Sequence, residues 1–453
     1  MSNDKPIIDQ GQALELLSDL IGRAQKCGAE SADAIYINGI SLSLSQRLGK
    51  PEHLERSEGA DIGLRVLIGK RQAMVSSSDY SSDALDELCA RAVAMARVVP
   101  EDPYCGLADP GQLAGEVPDI DSCDPEEPTA EHLADLARRA EEAALAVPGV
   151  SNSEGGSAAW GMNTVALAAS NGFARGYSNS RHSLSASVLA GEGTGMERDY
   201  DYASTVYGED LRTPEDIGRS AGERAVKRLN PRKTKTAAVP VIFDSRVSGG
   251  LVGHLASAIN GASITRGTSF LKEKMGQRLF PAAVNIFDDP HRKRGLKSRP
   301  FDAEGIKTQK RALIENGVLQ TWIMDLRSAR HLGLETTGNA GRGTSSPPSP
   351  SSSNLYLEAG KLSPAELMAD IREGLYVTEL IGFGVNGVTG DYSRGASGFW
   401  IENGKISHPV NEITIAGNLI DMFAELTAAD DLVFRHGTDA PTLRIDGMTL
   451  AGS

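Results

Sequence analysis

Residues 163–193 read NTVALAASNGFARGYSNSRHSLSASVLAGEG. Two strand-like runs flank Asn171-Gly172, the dipeptide that best suits the left-handed backbone of a tight hairpin. The spacing predicts antiparallel strands, and the reading extends across residues 150–207 as a meander. Working outward, residues 31–78 have the same texture. Ser41-Leu42-Ser43-Leu44-Ser45 alternates strictly, and Gly69-Lys70 fits a second hairpin turn in GLRVLIGKRQAMVSSS. Helical periodicity replaces alternation in residues 11–26, where Ala13, Leu14, Leu16, Leu17, Leu20 and Ile21 share one face, and again in residues 82–97, from Thr129 as N-cap to about Ala146, and in residues 214–229. A Pro/Asp/Gly-rich stretch, residues 100–128, reads as a connector, and the basic PRKTKT after Asn230 as an exposed linker.

Past that linker the chain opens with a fully apolar strand, Val239 to Phe243, and a helix-like stretch over residues 245–259. A hairpin around Glu315-Asn316-Gly317, a helix over residues 363–373 and short glycine-rich strands follow. Helices and antiparallel strands without regular strand-helix alternation predict an α+β fold rather than a doubly wound parallel sheet. Two domains are expected. Residues 1–235 form an antiparallel sheet with helices; residues 236–453 are mostly antiparallel β, barrel-like or a sandwich, with helices.

A chain of 453 residues buries enough surface to need no staple. Its cysteines, Cys27, Cys89, Cys105 and Cys123, include no Cys-x-x-Cys pair and read as buried thiols. The first 150 residues carry 27 acidic and 13 basic side chains, the whole of the net charge of −14, and the remainder is balanced. Such a surface argues against direct nucleic-acid binding. No apolar run is long enough to cross a membrane and no signal peptide is visible, so a cytoplasmic protein is expected.

Motifs for common chemistries are missing. The two nearest of eight histidines are 28 residues apart, so no helical His pair can ligate zinc. No phosphate-binding glycine loop, dinucleotide fingerprint or Gly-x-Ser-x-Gly elbow occurs. The basic run HRKRGLKSR, residues 291–299, offers charge for phosphate or nucleic acid, but it lacks interleaved aromatics and the solvated-loop reading is favoured; GRGTSSPPSPSSS, residues 341–353, reads as a flexible or polyproline-like loop, with the lining of a substrate channel as the alternative. An unrecognised carboxylate pair making the chain an autonomous hydrolase is a third possibility for its chemistry.

Two segments are more specific: SRVSGGLVGHLASAINGASITRGTSFLKEKMGQRLFP (residues 245–281) and VTGDYSRGASGFWIENGKISHPVNEITIAGNL (residues 388–419). With GLRVLIGKRQAMVSSSDYS, FDAEGIKTQKRALIENGVLQTWIMDLRSARHLGL and VTELIGFG they closely resemble the PmbA/TldE branch of the TldD/PmbA family along essentially the whole chain. The resemblance implies a two-domain protein pairing with a homologous TldD-type subunit as a cytoplasmic metallopeptidase of unfolded or flexible peptides. In the TldD-type subunit zinc is held by a His-Glu-x-x-x-His helix and a later Cys. The matching helix here reads Gly249-Gly250-Leu251-Val252-Gly253-His254, so glycines replace the first ligand and the catalytic Glu, and only His254 remains.

The resemblance therefore implies no cofactor in this chain, with zinc on the partner, and a non-catalytic subunit. His254 reads as a satisfied core or interface histidine. The candidate substrate or partner contacts are His254 itself and Asp391, Tyr392, Ser393 and Arg394 in a glycine-flanked loop; the plainer reading of that loop is a turn in which Arg394 pairs with Asp391. The alternative function is a regulatory binding protein, a modulator of DNA gyrase or of an antitoxin, without proteolysis. Without its partner the chain is also expected to be able to form a homodimer.

Overall fold

The structure is a computed structural model and describes residues 8–452. The first half is one antiparallel sheet with four helices on a single face. Its elements are α1 (Gln10–Lys26), β1 (Ser31–Arg47), β2 (Lys50–Ile68), β3 (Arg71–Ser77), α2 (Ser82–Val98), α3 (Ala130–Leu145), β4 (Val150–Ala169), β5 (Ala174–Ala190), β6 (Glu197–Thr205) and α4 (Pro214–Lys227). The sheet order is β3-β2-β1-β4-β5-β6. Asn171-Gly172 joins β4 to β5, Gly69-Lys70 joins β2 to β3, and Thr129 caps α3 by accepting from the His132 amide, as read above.

Register decides what each face meets. Ala34 lies between Leu64 and Ala168, so even-numbered residues of β1, β2 and β4 share a face. Along β1, Ala32, Ala34 and Tyr36 pack with α1 and α2, while Leu42 and Leu44 pack at the far end with α3 and α4. Alanines at 137, 140 and 144 of α3 and at 221 and 225 of α4 let those two helices lie close on the sheet and on each other. The odd face carries Ile35, Ile37, Val165, Leu167 and Tyr177, and is covered by the second half: the Phe301 ring lies 5.1 Å from Phe173 and 5.4 Å from Tyr177.

The second half begins with β7 (Ala237–Phe243) and α5 (Ser245–Ala258), the latter capped by Asp244, which accepts from the Arg246 amide. β7 runs parallel to strand Glu373–Ile381 and antiparallel to Leu443–Ala451. Strands Asp391–Glu402 and Lys405–Asn418 extend the sheet, and the last pairs back onto 443–451 through Thr414 and Ala451, closing a five-stranded barrel. β7 is apolar throughout because both faces are buried: Val241 and Phe243 join the main core with Leu251, Val252 and Leu255 of α5, while Ile242 faces a smaller cluster with Leu367, Met368 and Ile371. A second five-stranded sheet, ordered 318–319, 311–315, 286–289, 354–357 and 438–439, completes this half.

Several expectations fail locally. The helix read over residues 363–373 is only Pro364–Met368, because Glu373 is already pairing with Glu402. Residues 341–353 are not a flexible loop. The Arg342 side chain is fully buried and, together with Arg65, donates to Asp33; the Thr344 carbonyl rests on Gly63, where a side chain would collide with it. Pro350 accepts from Asn260, and Ser353 donates to the buried Asp288. Nor is the run 291–299 simply solvated, since Arg294 meets Asp121, Glu209 and Asp210, and Arg299 donates to the carbonyls of Ala340 and Ser351. In both segments acids and carbonyls distant in sequence satisfy what looked like free polar groups, and for residues 341–353 the acids, Asp33 and Asp288, are buried. Cys89 and Cys105 are buried and Cys123 half-buried, but Cys27, at the C-cap of α1, is exposed.

Candidate functional site

α5 places Gly250 and His254 one turn apart, while Gly249, a residue earlier, is turned toward the short strand Thr438–Asp439. A Cβ on Gly249 would sit 2.6 Å from the Thr438 carbonyl oxygen, closer than any side chain tolerates, whereas nothing lies within 4 Å of one on Gly250. The backbone of a neighbouring strand fills the place where a side chain at 249 would have to stand.

Residues 391–394 are not a loop but the opening of strand Asp391–Glu402, entered through a turn at Gly390 with φ +84°. Strand alternation divides them. Tyr392 and Arg394 point inward with Ala396; Asp391 and Ser393 are exposed. Asp391 accepts from Thr389 Oγ1 at 2.6 Å and from Asn418 Nδ2 at 3.2 Å. The Asp391–Arg394 pair is therefore not formed: the two side chains leave opposite faces of the strand.

The structure thus brings together His254, Tyr392 and Arg394. The His254 and Tyr392 rings meet edge to face, 6.0 Å apart at 73°. Burial pushes the Tyr392 phenol up to about 12, and among the described residues neither its buried hydroxyl nor the buried Nε of Arg394 has a hydrogen-bond partner. Burial, reinforced by the Arg394 charge, holds His254 below its ordinary value, so its imidazole is neutral near pH 7. The half-buried His254 imidazole and Arg394 guanidinium, backed by the buried Tyr392 ring, can offer donors to a carbonyl or carboxylate of a bound chain. They do not make a nucleophile, since among the described residues no carboxylate pairs with the imidazole, on which Arg394 is the acting charge.

The donor set does not fit zinc. Among the described residues no three His, Cys, Asp or Glu side chains converge as a metal site, and His254 has an aromatic ring and a cation as neighbours, not second ligands.

A second concavity escaped the sequence reading. A groove of about 860 Å³ runs between the connector residues Asp124 to Pro128 and the N-termini of α3 and α4. His182 lines it, with Nε2 3.1 Å from Asp124 Oδ2 but outside hydrogen-bonding geometry. Its walls come from stretches nearly ninety residues apart, and no local motif marks them.

Three domain profiles match nearly the whole chain, described as PmbA/TldA metallopeptidase domain 1 (residues 32–96), central domain (123–229) and C-terminal domain (236–452). The chain belongs to the PmbA/TldE branch of the PmbA/TldD metallopeptidase family. The metalloprotease PmbA of Escherichia coli O157:H7 is 38% identical over 452 residues, 98% of each chain, and a PmbA homologue of Haemophilus influenzae is 37% identical over 443 residues, 97% of this chain and 96% of that one. Among solved structures, a protein of Bacteroides thetaiotaomicron described as a modulator of DNA gyrase shares 27% identity at a TM-score of 0.90, covering 99% of this chain and 100% of the other. TldE of Thermococcus kodakarensis, at 20% identity, TM-score 0.83 and coverage of 96% and 100%, shares the fold. Within this PmbA/TldE branch, the described residues of the present chain include no helix long and apolar enough to cross a membrane.

Proposed function

We propose that this chain is the non-catalytic subunit of a TldD/TldE-type heteromeric metallopeptidase, in the cytoplasm, that processes unfolded or flexible polypeptides. Its halves, residues 1–235 and 236–453, act as two domains, and the zinc belongs to the TldD-type partner. The observation that carries the reading is at α5. Position 249, where the resemblance calls for a ligand, is closed by the Thr438 carbonyl, and among the described residues His254 belongs to no group of three ligating side chains. A subunit of this kind contributes by enclosing the partner's site, excluding folded proteins and holding an extended chain near the metal. Arg394, with His254 and Tyr392, is its proposed contact to peptide or partner. Such an assembly should bury an interface of about 1,600 Å² or more.

The test mixes a purified TldD-type partner with and without this chain and follows cleavage of an unfolded polypeptide. Cleavage is expected only from the pair, and slower with Arg394→Ala. Full-rate cleavage by the partner alone would refute the subunit role. One observation favours a second reading, a regulatory binding protein: the solved relative from Bacteroides thetaiotaomicron is described as a modulator of DNA gyrase. In that reading gyrase activity responds to this chain in the absence of any protease.

A further inference from the structure

The basic run at residues 291–299 has no aromatic residues of its own, but the fold supplies them. The Arg292 guanidinium lies 3.3 Å from the centre of the Phe434 ring, and that of Arg294 lies 3.8 Å from the centre of Tyr207. Tyr202 hydrogen-bonds His436 through its hydroxyl at 3.1 Å. Between them is a pocket of about 270 Å³ at the junction of the two halves, walled by the end of β6 at Ser204 and Thr205, by residues 292–296 and by residues 434–437.

Its charge is unbalanced. Two carboxylates line it, and both are already engaged. Asp439 accepts the backbone amides of Arg435, His436 and Gly437 at 2.9, 2.9 and 3.0 Å, and Asp210 is held by Arg294 at 2.9 Å. Arg292, Lys293 and Arg435 also line the pocket and form no ion pair among the described residues; Arg181 and Lys297 stand close enough that their charges act on His436. The Ser204 hydroxyl, which has no hydrogen-bond partner among the described residues, lines the pocket as a further donor. Stacking leaves the N–H edge of Arg292 free, so two planar forks from separate segments offer donors to one space.

We propose that this pocket binds a small phosphoryl anion, inorganic phosphate or a phosphate monoester, between Arg292, Arg435 and Ser204. A dianion with three terminal oxygens can use both guanidinium forks and the hydroxyl at once. A carboxylate has two oxygens and a single charge, and leaves one fork unpaired. The volume, at the small end for ligand sites, selects a compact anion rather than a polymer surface.

The experiment is isothermal titration calorimetry on the full chain with inorganic phosphate, with phosphoserine as the monoester and with acetate as the carboxylate. Expected is saturable one-to-one binding of a phosphoryl probe in the millimolar range or tighter, with acetate weaker by about 10-fold or more. Binding of both phosphoryl probes assigns the bare phosphoryl group; binding of phosphoserine alone assigns the ester. Arg435→Gln removes a guanidinium that the fold does not use and should weaken binding by about 10-fold, with unchanged circular dichroism. Ser204→Ala, an even milder change, should weaken it less. No saturation by either phosphoryl probe, equal binding of acetate, or undiminished binding by a folded Arg435→Gln protein would overturn the assignment.

Discussion

Neighbouring glycines on α5 should respond oppositely to the same substitution. In an exposed helix interior, glycine to alanine stabilises by about 1 kcal/mol, through lower backbone entropy in the unfolded chain. Gly250 is exposed, with open space where a Cβ would stand, so Gly250→Ala should gain about that much. At Gly249 the same gain is opposed by a contact of 2.6 Å with the Thr438 carbonyl. That oxygen cannot rotate away as a side chain would. It belongs to a strand held parallel to Leu355 and Tyr356, with Asp439 pinned by three amides. Overpacking against fixed structure costs about 1–3 kcal/mol. Gly249→Ala should therefore be neutral to about 2 kcal/mol destabilising, and the two variants should differ by about 1–3 kcal/mol. Urea unfolding, compared at equal slope, reads this as a raised midpoint for Gly250→Ala and an unchanged or lowered one for Gly249→Ala. If Gly249→Ala stabilises as much as Gly250→Ala, the strand does not close position 249. The steric case against a ligand there would then collapse. By the same reasoning a histidine at 249 is excluded by bulk as well as by its missing partners.

The buried Glu304 gives a pH dependence. Burial and then the negative charge of Asp302 raise it from 4.5 to about 8, so the folded chain keeps a proton that the unfolded chain has released, and this contribution to stability declines as pH climbs from about 4.5 to about 8. Glu304→Gln, which can still accept from the Leu326 amide, should flatten that decline in unfolding titrations; parallel wild-type and variant curves would refute it. Thiol reactivity should follow burial, with iodoacetamide modifying exposed Cys27 first and leaving Cys89, whose thiol burial raises to about 11, intact until the protein unfolds. Early mass labelling at Cys89 would contradict this packing of α2 on α1.

Local signals were legible where the chain makes local structure. Asn171-Gly172, the Thr129 cap and the all-apolar Val239 to Phe243 each announce an element whose partners are near in sequence or whose burial is two-sided. Barrel closure was not, because the pairing of Thr414 with Ala451 leaves no trace in either segment beyond ordinary strand texture. The candidate site was legible as a group of residue types but not as geometry. Tyr392 and Arg394 join His254 because they open a strand, and the same alternation sends Asp391 and Ser393 away. The serine- and proline-rich composition of residues 341–353 suggests mobility, yet Arg342 within it answers an acid near the start of the chain.

That last contact sets a timetable for synthesis. Arg342 follows Asp33 by 309 residues, and at about 5–20 residues per second a ribosome needs roughly 15–60 s to travel from one to the other. During that interval the first sheet can form its hairpins and bury the even face under its own helices. The odd face, with Ile35, Ile37, Val165 and Leu167, still waits for Phe301, and the seat at Gly63 for the Thr344 carbonyl. A nascent chain therefore carries an uncovered apolar sheet face for much of its translation. Stalling or truncation between residues 205 and 301 would leave that face open, as a surface for chaperones or for aggregation.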